Sequence, residues 1–308
     1  MVAFVIRRLA SAIPTLLVVV AVAFFMMRIA PGGPFTTDRN LIPEIEENLR
    51  AKYGLDDPLP VQFVSYLGDV LQGDFGPSFK YKDFTVSQLI ADGAPVSFTL
   101  GASALLLAIG VGGVLGTFAA LHQNKPGDYG VMAVAMAGIC VPTFVTAPLL
   151  TLLFGVSLGW LPVAGWGNGD IRHLILPVVT LALPQIAVVS RLMRGSMIEV
   201  MRANFIRTAR AKGLSSTEIV WRHALRAAAL PLVSYVGPAA AALLTGSLVV
   251  EQIFGLPGVG RYFVIGALNR DYTLVMGVVI LYATLIIALN MLADVAYGWL
   301  DPKVRLGR

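Results

Sequence analysis

The residues with the most chemistry to offer lie in 191–231, RLMRGSMIEVMRANFIRTARAKGLSSTEIVWRHALRAAALP. Arg191, Arg194, Arg202, Arg207, Arg210, Lys212, Arg222 and Arg226 stand there against Glu199 and Glu218, a net charge of +6. Their order reads as two short helices broken at Gly213. Met197, Met201, Phe205 and Ala209 recur every four residues and make one narrow apolar stripe. Gly213 stands where a left-handed cap is needed, because it has no Cβ to clash there. Ser215 with Glu218 three residues on predicts a capping box that starts the second helix, with Ile219 and Leu225 on its apolar side. Orientation in a membrane requires positive charge but not this helix–Gly–helix grammar, so the segment reads as a docking device.

Other chemistries find no support. A phosphate-binding loop needs Gly-Lys followed by Ser or Thr, because backbone N–H groups cradle phosphate while the hydroxyl binds Mg²⁺. Here the lysines are followed by Tyr53, Tyr81, Asp83, Pro126, Gly213 and Val304. The chain therefore binds no ATP of its own and holds no cofactor. His122, His173 and His223 lack ligand spacing, and Cys140 is the only cysteine, so no metal site is expected. Cys140 reads as a small packed residue. With no His-Glu-x-x-His and no histidine inside an apolar run, there are no catalytic candidates for an intramembrane enzyme. The basic residues lie between apolar runs, which excludes a nucleic-acid module.

The elements that must position the basic segment are membrane spans. The 308 residues are 56% hydrophobic and 13% charged, about half the charge of an ordinary soluble domain. Residues 9–27 carry no charge and follow Arg7-Arg8, a run longer than a signal-peptide core, so it stays as a first membrane helix. Further spans are expected from Pro95 to Leu121, Tyr129 to Phe154, 173–190, 227–250 and 272–293, each near the 20 residues a bilayer core requires. Pro142 and Pro148 predict kinks in the third, and Gly110, Gly112, Gly113 and Gly116 predict close packing of the second. The domain plan is a first segment 1–30, an external loop 31–94, a five-helix core 95–300 that contains the 191–231 loop, and a tail 301–308. Residues 31–94 carry a net charge of −5, with short helices expected at Pro43–Tyr53 and Pro60–Leu71 and a turn at Gly73–Ser78. Glu251–Arg261 reads as a second external loop. Arg7, Arg8, Lys125 and the 191–226 bases all fall on one side of this plan, which puts both termini in the cytoplasm.

The wording Asn204–Leu214, NFIRTARAKGL, with Phe79–Asp83 and Gly255–Gly260, resembles the peptide branch of the permease subunits of bacterial ABC importers. The general pattern of those permeases places Glu-Ala-Ala three residues before a Gly and Ile-x-Leu-Pro nine residues after it. Aligned on Gly213, the triplet falls on Arg207, Thr208 and Ala209. The second motif falls on His223, Ala224, Leu225 and Arg226, with proline only at Pro231. The resemblance implies an all-α integral membrane protein of six transmembrane helices, similar to type I ABC importer permeases, in the bacterial inner membrane. It implies a second homologous permease subunit, two ATP-binding subunits that use ATP and Mg, an external solute-binding protein and a peptide substrate. Oligopeptide is favoured over the dipeptide, glutathione or nickel relatives. It also implies an ATPase-coupling role for Arg207, Thr208, Ala209, Arg210, Lys212, Gly213, Ser215, Glu218 and His223. From the residues alone an ion-coupled secondary transporter stays open, although the centres of the spans are uncharged. Uncharged polar side chains on the spans are candidates for a substrate path: Thr143, Thr146, Thr180, Gln185, Ser234, Thr245, Ser247 and Asn290. Hydrogen bonding within each helix is the competing role for every one of them.

Overall fold

The computed structural model describes residues 2–29, 54, 56–81 and 83–300. The expected helix at Pro43–Tyr53 and the tail 301–308 lie outside the described residues. Among the described residues the chain is helical, apart from an isolated bridge between Pro77 and Thr85. The long elements are α1 (Val2–Ile29), α2 (Leu59–Leu71), α3 (Val86–Leu121), α4 (Pro126–Cys140), α5 (Thr143–Leu150), α6 (Ile171–Met201), α7 (Asn204–Ala211), α8 (Leu230–Ile253), α9 (Val259–Leu268) and α10 (Tyr272–Leu300). Five of them, α1, α3, α6, α8 and α10, are long and apolar enough to cross a membrane. With no water in hydrocarbon to satisfy N–H and C=O groups, helices are what such sequences must form.

The third expected span is broken. α4 and α5, with its π-helical continuation Thr151–Ser157, meet at 105°. Pro142 forces the break: it supplies no N–H, and it holds Val141 extended at φ −92°, ψ 117°. Pro148, expected to kink as well, sits inside α5 without a break. Three boundaries also differ from the sequence reading. α3 begins at Val86, nine residues before Pro95, because Thr85 and Gln88 cap each other at 3.0 and 3.2 Å. α4 begins at Pro126, where a proline at the first turn gives up no helical bond. α6 continues as one helix to Met201, so the first third of the basic segment is an extension of a span.

The chain forms two compact units, one built chiefly from Phe98–Leu256 and the other from 6–97 with Pro257–Leu285. In the first, α6 is the central pillar. α3 lies on it so closely that a Cβ added at Gly116 would strike the Ser190 carbonyl and stand 2.8 Å from the Met193 Cβ; one at Gly112 would stand 2.9 Å from the Ile186 carbonyl. Gly110 and Gly113, on the other side of α3, have nothing within 4 Å. Only two of the four expected glycines therefore serve as helix contacts.

In the second unit, Asp271 is buried at the start of α10, where its carboxylate accepts from the Leu274 N–H at 3.2 Å and the Lys80 N–H at 3.1 Å. Ser78 also donates to it, which pins the 77–81 turn to the helix start. The Glu251–Arg261 stretch is a loop only in part. Glu251 is fully buried in the last turn of α8, accepting from the Ser247 hydroxyl at 2.7 Å, and α9 begins at Val259.

The glycine geometry predicts a contrast between neighbours. Gly116→Ala should lower membrane abundance and thermal stability in detergent, because α3 must move off α6. Gly113→Ala should leave both near wild type, and equal losses for the two would show that the close approach is absent.

Candidate functional site: a basic helical hairpin

The basic segment folds on a core of its own. Met193, Met197, Ile206, Ala209, Ile219, Val220, Ala224 and Ala228 form one buried cluster, with Val200, Met201, Leu214 and Leu225 against it. α6 ends at Met201, and the Arg202 and Ala203 N–H groups bond back to Glu199 and Val200 at 3.1 and 2.9 Å. α7 then starts in a new helical phase. This corrects the expected stripe: Met197 and Ala209 are buried, but Phe205 is exposed and Ile206 takes the inward place. The break at Arg202–Ala203, where Ala203 is extended at φ −67°, ψ 152°, rotates the pattern, which a continuous four-residue repeat does not anticipate.

Gly213 has φ +81° and ends α7 in a Schellman motif. Its N–H bonds Arg210 O at 2.9 Å, and the Leu214 N–H reaches Ala209 O at 3.3 Å. Ser215 and Glu218 form the reciprocal box, with Glu218 N–H donating to the Ser215 hydroxyl and Ser215 N–H donating to the Glu218 carboxylate at 3.2 Å. That second bond holds the Glu218 carboxyl below its ordinary range. The chain then runs through a short helix Ser216–Glu218, a π-helical turn Ile219–Ala224 and Leu225–Ala228, reaching α8 at Leu230.

Of the residues singled out for coupling, Arg207, Thr208, Arg210, Lys212, Gly213 and Ser215 are exposed, Glu218 and His223 are half-buried, and Ala209 is buried in the cluster. Sequence reasoning missed Trp221, which is 68% exposed. Trp221 and the exposed Phe205 put two aromatic rings on a hairpin that also exposes six basic side chains, Arg202, Arg207, Arg210, Lys212, Arg222 and Arg226. The signal available was the apolar spacing of 219, 220 and 224, which leaves 221 on the opposite side of the helical turn.

The hairpin is fixed to the rest of its unit through Arg194. Its guanidinium meets the buried Asp128 carboxylate with two bonds of 2.6 Å, from Nε to Oδ1 and from Nη2 to Oδ2. Asp128 also accepts the Asn124 N–H at 2.9 Å, so the 122–125 turn, the start of α4 and the end of α6 form one knot. Arg202 adds a 3.2 Å bond to the Gln123 side chain.

Five of the eight residues proposed for a substrate path have hydrogen-bond partners within the fold. Thr146, Thr180, Thr245 and Ser247 donate to carbonyls of their own helices at 3.2, 2.7, 2.9 and 2.9 Å. Thr180 and Ser247 are fully buried, Ser234 is exposed, and Thr143 and Asn290 are half-buried. Gln185 accepts from the Tyr235 hydroxyl at 2.6 Å, a cross-link between α6 and α8. Cys140, expected to be packed, is exposed at the end of α4, where Pro142 turns the chain away.

A double-mutant cycle tests the knot. Asp128→Leu or Arg194→Met alone should destabilise the detergent-solubilised protein by about 3 kcal/mol, since each leaves a charge without its partner. The double substitution should recover most of that loss in thermal unfolding. Strictly additive losses would show that the two groups do not interact.

With the hairpin's geometry established, its relatives are informative. The family described as "Binding-protein-dependent transport system inner membrane component" matches residues 112–306, and its N-terminal companion, "Binding-prot-dependent transport system membrane comp, N-term", matches residues 1–101. The oligopeptide transport system permease protein OppB of Salmonella typhimurium is 53% identical over 305 residues, 99% of this chain and 100% of that protein. The OppB protein of Haemophilus influenzae is 50% identical over 305 residues, with the same coverage of 99% and 100%. The dipeptide transport system permease protein DppB of Bacillus subtilis is 42% identical over 303 residues, 98% of each chain. Among solved structures, an inward-facing MetNI methionine ABC transporter superposes with a TM-score of 0.59 at 16% identity, covering 70% of this chain and 97% of that one. An amino acid ABC transporter crystallised with histidines gives 0.51 at 18% identity, covering 68% and 94%. At those identities the two structures establish a shared fold. The chain belongs to the inner-membrane components of binding-protein-dependent transport systems, as a multi-pass permease subunit with the fold of ABC importers.

Proposed function

We propose that this permease serves an ATP-driven oligopeptide importer and that its 202–228 hairpin is where the ATP-binding subunits dock. The carrying observation is that the hairpin has its own buried core yet leaves Phe205 and Trp221 exposed among Arg207, Arg210, Lys212 and Arg222. Exposed Trp together with exposed arginines is the composition of a protein-binding hot spot. The oligopeptide reading is supported by 53% identity to oligopeptide permeases, against 42% and 39% to dipeptide permeases.

In this reading the chain forms the translocation path with a second, homologous permease subunit. An external solute-binding protein delivers peptide. ATP and Mg²⁺ are used by two partner subunits, since this chain has no phosphate-binding loop. Both termini and the hairpin face the cytoplasm. Movement of the docked ATPases reaches the spans directly, because α6 runs unbroken into the hairpin and only Ala229 separates its far end from α8. For this to switch access, the hairpin must stay docked in both states and be differently placed in each.

Two substitutions separate docking from folding. Gly213→Val meets a backbone penalty of roughly 1–2 kcal/mol but has open space around the new side chain, so membrane abundance should be nearly normal. Transport and ATPase co-purification should fall sharply, because the bend is lost. Trp221→Ala should keep the bend and weaken ATPase association by about 2 kcal/mol, near thirtyfold. Normal uptake by both variants would remove the coupling role from the hairpin.

Topology has its own test. In a Cys140→Ser background, Ser215→Cys should react with a membrane-impermeant thiol reagent only from the cytoplasmic side and Asp74→Cys only from outside. Reaction of both from one side would refute the assigned orientation.

A further inference from the structure

One helix outside the hairpin has a face that the described residues of its own unit do not cover. α2 (LPVQFVSYLGDVL) is held by Phe63, Tyr66, Leu67 and Val70, which pack with Val20 and Phe24 of α1 and Met276 and Ile280 of α10. The Phe63 ring lies 5.3 Å from that of Phe24 and 5.5 Å from that of Phe25. Burial also pushes the Tyr66 phenol upward from its ordinary range. At 100° per residue, Pro60, Leu71, Val64, Gly68, Val61 and Ser65 follow one another over the opposite arc of about 140°. No charge interrupts that arc. Leu71 is 87% exposed, Val64 68% and Val61 53%. A helix that is apolar all round is a buried helix, and water is the wrong medium for this second face.

The depth of α2 identifies what covers it. The uncharged run of α1 ends at Arg28, whose guanidinium lies over the Phe24 ring at 5.1 Å and the Tyr272 ring at 5.8 Å. A cation and a tyrosine at span ends mark the level where hydrocarbon gives way to headgroups. α2 packs on Phe24 and Met276, each about one turn inside that level. The same end of α1 carries Val22, Met26 and Ile29 with exposed side chains, the surface a span presents to lipid. The acidic residues nearby, Asp56 and Asp57 before α2 and Asp74 after it, lie beyond the helix ends, and Asp69 sits at the edge of the uncharged arc.

We infer that α2 is an interfacial membrane helix. Its Val61–Val64–Leu71 face lies in the headgroup–acyl boundary of the adjoining leaflet, anchoring the loop between the first two spans to lipid. A soluble partner such as the binding protein is disfavoured, because a docking surface facing water would not be an uncharged arc with only Ser65 polar, at its edge, at hydrocarbon depth. Since no base lies on α2, the anchoring rests on apolar burial and is indifferent to anionic lipid and to salt.

Site-directed spin labelling of the full chain in phosphatidylcholine vesicles tests this inference. Nitroxides are placed at Val64→Cys and Val61→Cys in a Cys140→Ser background, with Val22→Cys as a lipid reference and Asp74→Cys as an aqueous one. At 61 and 64, collisions with oxygen should exceed those with a polar nickel chelate severalfold, as at 22 and opposite to 74. The ratio should hold when a third of the lipid is replaced by phosphatidylglycerol. Dominant nickel collisions would mean the face is open to water and free for a soluble partner. Low collisions with both would mean that protein covers it. Either outcome overturns the inference, and neither bears on the coupling hairpin, whose tests read ATPase association and uptake.

Discussion

The bidentate pair between Asp128 and Arg194 is the interaction on which the larger unit depends. It sits where α6 leaves its apolar course and becomes basic, and Asp128 is buried there at the start of α4. A carboxylate removed from water is tolerable only if its oxygens are satisfied. Here two guanidinium nitrogens and the Asn124 N–H satisfy them. The geometry is demanding, so the α3–α4 turn, the first turn of α4 and the seventh turn of α6 must hold one arrangement. The glycine contacts at 112 and 116 work along the same pillar, one to two turns nearer the hydrocarbon. Together they fix α6 in rotation as well as in position, and the hairpin inherits that setting.

That inheritance explains why the hairpin can act as a part rather than as a tether. Met193 and Met197 belong to α6, yet they lie in the same buried cluster as Ile206 and Ala209 of α7 and Ile219, Val220 and Ala224 beyond the bend. The cluster is continuous across Gly213, so the bend is held from both sides by apolar contact and by the Schellman and capping-box bonds. A rigid element joined to α6 at one end and to α8 at the other transmits displacement to two spans at once. A flexible loop carrying the same charge would fix orientation and transmit nothing.

The smaller unit shows a related economy of charge. Asp271 commits one oxygen to the start of α10 and the other to the Ser78 hydroxyl and the Lys80 N–H, tying a polar turn to a span. In the larger unit Glu251 is likewise buried, bonded by Ser247 one turn earlier on α8. Both acids stand at helix ends rather than in the middle of spans, where unpaired charge is most costly. The absence of charge from the span centres was legible in the sequence.

Much of this was readable from residue order. The apolar runs specify membrane helices because hydrocarbon forbids unsatisfied backbone, and Gly213, Ser215 and Glu218 specify a bend because their local chemistry leaves few alternatives. These are short-range effects, complete within a few residues, and the tertiary structure left them in place. What the sequence did not show was anything that depends on phase or on distant partners. The break at Arg202–Ala203 exchanged Phe205 for Ile206 in the core, and Thr85 with Gln88 moved the start of α3 ahead of Pro95. Pro142 rather than Pro148 turned the third span: Val141 before it is extended, whereas Pro148 stays inside α5. Asp128 and Arg194 are 66 positions apart, and nothing local marks them as partners. Their pairing exists only because α4 and α6 pack side by side, and packing is decided by the whole set of helices at once.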